Sequence, residues 1–203
     1  MKKIAFLTGI AAPLVYLFTV VLGGVLWPGY SHLRQPISEL TMATAPNLAL
    51  MDALFLAYNL LLLSFSAGFF QFAASTRNTP LKFSALFLVV CALSGMAMVY
   101  FRQDVIGAPP TFTGTMHLFL AGAASLATIA AIFMAAAGFG RMAATRSLRF
   151  FSILMGIFVV VTGGLTAAGT SLFPHIFGIL ERMTIGAFML WLLVISWRLS
   201  KTR

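Results

Sequence analysis

A chain of 203 residues that is 61% hydrophobic and 8% charged, with a mean hydropathy of +1.00, is excluded from the class of soluble globular domains. Its formal charge of +9 alternates with apolar runs instead of gathering in one patch or arm, which argues against a nucleic-acid partner and for membrane topology. A single cysteine, Cys91, excludes an intrachain disulfide and reads as a small core residue.

Six apolar runs reach spanning length, at residues 4–26, 51–74, 81–100, 115–137, 150–172 and 178–199. The expected fold is an all-α integral membrane protein, one six-transmembrane-helix bundle over residues 1–203. The first run follows Lys2 and Lys3 and outlasts the roughly 7 to 15 residues of a secretory h-region, so an uncleaved first helix is expected. With the N-terminus inside, the inner segments hold Lys2, Lys3, Arg77, Lys82, Arg141, Arg146, Arg149, Arg198, Lys201 and Arg203, which is ten of the 13 basic residues. The expectation is therefore N-in/C-in, multi-pass, in the cytoplasmic (plasma) membrane.

The complementary set gathers at the other face: every acid (Glu39, Asp52, Asp104, Glu181) and every histidine (His32, His117, His175). After the first helix, Trp27-Pro28-Gly29-Tyr30 marks an interfacial exit, and residues 30–40 mix polar and apolar side chains closely enough to fold back as a lid. On the second helix Asp52, Asn59 and Ser66 recur every seventh residue on nearly one face, either an interhelical hydrogen-bond seam or a pocket wall. The third helix leads into Arg102 and Asp104, and His117 lies about one turn inside the fourth, where a hydrogen bond to Asp104 is feasible. The outer half of the fifth, from Thr162 to Ser171, is a surface of small side chains, suited to tight packing or to admitting a lipid.

The sixth run is the odd one. From Met183 to Trp197 it covers about 22 Å against a hydrocarbon core of about 30 Å, so the helix must start near Gly178 and draw Glu181 and Arg182 below the interface. Ionisable groups at that depth are functional candidates. Successive helical residues point about 100° apart, so each needs a separate partner: Glu39, Asp52 or Asp104 for Arg182, and His117, His175, Arg102 or Arg34 for Glu181.

Several uses of this outer cluster are open. Arg182, with Glu39, Ser38, Asp52, Asn59 and His175, can bind a ligand, most simply a lipid or amphiphile of the outer leaflet. Asp104, His117 and Glu181 are the catalytic candidates, and the same three would be the ligands if a metal, zinc by donor type, served a membrane-embedded hydrolase. No HxxxH, HExxH or CxxC spacing is present, so no cofactor is identified. A Ser38, His117 and Asp104 triad has the side chains but no nucleophile elbow. The remaining reading is non-enzymatic: a buried ion-pair network in a structural or partner-binding membrane protein, whose partners are membrane lipids, a second copy or another membrane protein.

The order of motifs resembles a family, the bacterial and archaeal six-helix membrane proteins catalogued as domain of unknown function 998. The resemblance rests on Pro28-Gly29-Tyr30-Ser31 leading to Ile37-Ser38-Glu39-Leu40, on Phe101 and Asp104 followed by Gly114 and His117, and on Gly178 with Glu181-Arg182. Thr41 and Arg102 depart from the Gly and Pro expected there. The loop is also distantly similar to the Ile-Ser-Asp element of a eukaryotic autophagy-modulator group linked to lipid handling. The family implies the architecture and these candidate residues, and no activity.

Overall fold

A computed structural model describes residues 2–105 and 107–201; among these, the side chains of residues 2, 3, 170 and 171 are outside the described set. The expectations resting on the side chains of Lys2, Lys3, Thr170, Ser171 and on Arg203 therefore lie outside it. Six helices follow one another: α1 (Lys2–Val25), α2 (Leu48–Ser75), α3 (Thr79–Ala97), α4 (Phe112–Phe139), α5 (Arg146–Leu172) and α6 (Phe177–Ser200). All six are long and apolar enough to cross a membrane, and no strand occurs among the described residues.

The helices coincide with the six apolar runs but have bounds of their own. α3 ends at Ala97, short of Tyr100, because residues 98–100 turn away towards Arg102. α4 starts at Phe112, where the Thr111 hydroxyl accepts from the Gly114 amide as an N-terminal cap. α6 starts at Phe177, and its 24 residues span about 36 Å, which completes the crossing that the apolar run alone could not.

Each helix packs chiefly on its sequence neighbours, and α6 packs back on α1, so the six close a ring in chain order. Two ends result. The hairpin end carries the connections 26–47, 98–111 and 173–176; the terminal end carries residues 76–78 and 140–145 and both ends of the described chain.

The terminal half of the ring is filled. Phe65 and Phe69 stack at 5.5 Å between centroids, Phe69 meets Phe139 at 6.3 Å, and all three are fully buried with Trp191, Leu192 and Ile195. Most polar groups in this half are spent on backbone or on each other: Ser84 donates to the Ala131 carbonyl at 2.7 Å, Asn78 to that of Gly138 at 2.9 Å, and the Trp191 indole to Ser152 at 2.9 Å, while the buried Ser196 hydroxyl has no partner.

Towards the hairpin end the packing is one-sided. α1 and α2 still bury Tyr16, Thr19, Val20, Met51, Tyr58 and Asn59. On α4, however, no residue between His117 and Ala127 is buried, and on α6 none between Leu180 and Ala187. Thr162 is the only buried residue of α5 between Val159 and Gly169. Most half-buried positions there are small, among them Ala121, Ala124, Gly163, Thr166, Thr184 and Gly186, with Leu120 and Ile185 the large ones on α4 and the apolar part of α6.

Candidate functional site

The 26–47 connection does not stand off in solvent. It leaves α1 through a turn at Gly29 (φ +83°), forms a short 3-10 turn at Ile37–Thr41, and buries Ile37, Glu39 and Leu40 against the bundle. It is a strap across the hairpin end, and α6 is what holds it.

Glu181 lies in the second turn of α6 and accepts, through Oε2, from the Ile37 amide at 2.5 Å. Arg182 donates from Nη1 to the Gln35 carbonyl at 2.7 Å and to the Gly178 carbonyl at 2.8 Å, and from Nη2 to the Tyr30 hydroxyl at 2.7 Å. Tyr30 passes its own proton to the Pro36 carbonyl at 2.7 Å, and the Arg182 guanidinium carbon sits 5.6 Å from its ring centre. The Ile179 amide adds a bond to the Leu33 carbonyl at 3.0 Å. Charge-assisted bonds of this kind each contribute about 1.5–3 kcal/mol.

Neither member of the pair takes the charged partner expected from sequence. The helix start offers backbone instead, because strap and α6 approach too closely for side chains to intervene. A Cβ on Gly178 would collide with the Gln35 carbonyl oxygen and lie 2.8 Å from that of His32. Only glycine fits there.

Glu39 completes the cluster. It is 5% exposed, and its Oε2 accepts from Gln35 Nε2 at 2.7 Å, while Gln35 Oε1 accepts from the Ser31 amide at 2.7 Å. Burial pushes the Tyr30 hydroxyl up to about 12, with Arg182 acting in the opposite sense. Partial burial, reinforced by the same guanidinium, holds His32 below the usual imidazole range. Some hydrogen-bonding capacity is unspent. Arg182 Nε is buried without a partner, and the Oε1 atoms of Glu39 and Glu181 make no hydrogen bond among the described residues.

The other candidates fall into separate arrangements. Asp52 forms a two-pronged ion pair with Arg102, at 2.7 and 2.5 Å, and Arg102 also donates to the Thr41 carbonyl at 3.0 Å. It is the only ion pair among the described residues. The Asp52 bond raises the Arg102 pKa further. Asn59 and Ser66 do not extend it as an interhelical seam: each donates back to its own helix, at 2.9 Å to Phe55 and 2.7 Å to Leu62, with Asn59 Oδ1 packed on Gly95.

Asp104 and His117 do not hydrogen-bond each other. Asp104 accepts from the Thr111 hydroxyl at 2.6 Å and amide at 2.9 Å, which holds its carboxyl below the usual carboxylate range, with a smaller contribution from His117. His117 donates from Nδ1 to the Phe101 carbonyl at 2.9 Å. Gly114 leaves the space: a Cβ there would occupy the Asp104 carboxylate. Together these five residues fasten the 98–111 connection to α4. Ser38 is half-buried in the 3-10 turn, where its carbonyl accepts from the Thr41 hydroxyl, and His175 is exposed in the α5–α6 turn. Among the described residues no three of His, Cys, Asp and Glu converge as metal ligands, so Asp104, His117 and Glu181 do not form one set.

Residues 10–198 match the family described as Protein of unknown function (DUF998). The chain belongs to that family. Neither a curated protein nor a solved structure matches it. For this DUF998 member, the resemblance motifs now have places: Tyr30, Ser38-Glu39, Gly178 and Glu181-Arg182 meet at the strap, while Phe101, Asp104, Gly114 and His117 meet at the second hairpin.

Sequence reasoning passed over Tyr30 and Gln35 as site residues. Both are neutral, so no search for charged partners finds them. The usable signal was the tyrosine directly after a Pro-Gly exit, followed by a dense alternation of polar and apolar residues.

Proposed function

We propose that the hairpin end of this protein binds the polar head of an amphiphile of the outer leaflet, with both termini cytoplasmic in the plasma membrane. The observation that carries this reading is Arg182 Nε, buried in the strap cluster without a partner, beside the half of the ring where α4, α5 and α6 bury almost nothing. A buried donor without a partner costs about 1–3 kcal/mol, which is reason to look for an acceptor that completes it. An ester, hydroxyl or phosphate oxygen answers Nε. The small residues of α4 to α6 leave width for acyl chains.

Lipids extracted from purified wild type and from two variants test it. Arg182→Ala removes the head-group donor, and Gly186→Val narrows the apolar wall where a Cβ meets nothing within 4 Å, leaving the strap untouched. Both should carry less of one lipid class than wild type. Unchanged lipid content in both variants would overturn the proposal.

A second reading has its own support, because Glu181 and Arg182 spend most of their bonds on strap backbone. In that reading they only brace the loop. Glu181→Gln and Arg182→Ala would then lower the melting temperature and leave lipid content as in wild type.

A further inference from the structure

The terminal end of the bundle carries a second feature, independent of the strap. Where the start of α5 meets the last turn of α6, a cavity of about 300 Å³ is lined by Thr145, Leu148, Trp197, Arg198 and Lys201 among others. Arg198 reaches Ser147 with a long hydrogen bond of 3.4 Å, and the Lys201 ammonium lies 3.9 Å from the centre of the Trp197 ring. No Asp or Glu lies beside either cation, since all four acids of the sequence, Glu39, Asp52, Asp104 and Glu181, lie at the hairpin end. Arg141, Arg146 and Arg149 are exposed around the same end, so the field there has one sign.

From this geometry we infer a binding site for the phosphate of an anionic phospholipid, seated between Arg198 and Lys201. Charge complementarity selects the anion, and the place of the cavity selects a lipid over a free ion. Trp197, which lines the cavity, is 46% exposed, and Leu190, two turns earlier on nearly the same face of α6, is 47% exposed, so an outward apolar surface adjoins it. A headgroup in the cavity therefore has its chains beside a ready apolar surface. The Trp197 ring supplies the amphipathic face such groups meet at a membrane boundary, and its π-face holds Lys201 in place. Two cations at a surface of this kind strengthen binding of an anionic lipid by about 1 kcal/mol each, or about thirtyfold together.

The test is native mass spectrometry of the full chain in neutral detergent, titrated with phosphatidylglycerol and, separately, with phosphatidylcholine. Wild type should retain one phosphatidylglycerol at least tenfold more tightly than phosphatidylcholine. Arg198→Gln combined with Lys201→Gln should remove that preference, whereas Arg141→Gln combined with Arg146→Gln, at the same end but outside the cavity lining, should keep it. Ala144→Trp fills the cavity without touching a charge and should also remove the preference, which keeps the test decisive if the doubly neutralised variant fails to fold. Equal loss in the two double variants would mean a diffuse field and overturn the site. So would competition by millimolar inorganic phosphate as effective as that by the lipid, because the ligand would then be the free anion.

Discussion

At the residue scale, the site depends on a missing side chain as much as on charged ones. Gly178→Ala places a methyl group against two strap carbonyls that cannot swing aside, so the variant should lose about 1–3 kcal/mol, read as a lower melting temperature and faster proteolysis within residues 30–41. Tyr30 makes a pH prediction. Its hydroxyl is held protonated to about 12 by burial, so the folded protein keeps a proton that the unfolded chain releases near pH 10. The contribution is complete below about pH 10 and is lost as pH rises to about 12. Tyr30→Phe should lack that alkaline loss, measured by thermal melts from neutral pH upward. Glu181 and Arg182 were legible in the sequence because a spanning helix that includes them violates a strong rule. Their backbone partners were not, because amides and carbonyls carry no sequence signature.

At the element scale, the strap has two attachments of different chemistry. One is the α6 start, through Ile37, Gln35 and Tyr30; the other is the α2–α3 side, where Arg102 joins Asp52 to the Thr41 carbonyl. The second attachment uses a half-exposed ion pair, so its coupling is modest. A double-mutant cycle with Asp52→Asn and Arg102→Gln should return about 1 kcal/mol, falling with added salt. The strap's existence was legible in the close alternation of polar and apolar residues after Tyr30. The two residues that depart from the family pattern, Thr41 and Arg102, turn out to touch each other, a pairing that only the folded chain brings together. The Asp52, Asn59 and Ser66 stripe left two readings open for a physical reason: a seven-residue spacing says which face the residues share, not whether they satisfy themselves on their own helix.

At the scale of the whole molecule, the ring is filled at one end and open in packing at the other. Phe69→Ala, in the filled half, should cost about 3–5 kcal/mol, while Gly186→Val should leave the stability within about 0.5 kcal/mol of wild type, since its new side chain meets nothing. Comparing the two melts checks the asymmetry directly. Hydropathy alone makes six spans legible, but the filling of the ring depends on which faces oppose each other, and uniformly apolar helices carry little of that information. The ring also has a consequence for how the chain assembles. Five of its six interfaces join helices adjacent in sequence and can form as each helix enters the bilayer. The sixth joins α6 to α1, and the bonds that fasten it to the strap span 144, 147 and 152 residues. α6 must therefore be made before the strap is held at that end. Until then the strap has no Glu181 or Arg182 to bind, so an intermediate lacking α6 is the state most exposed to misassembly.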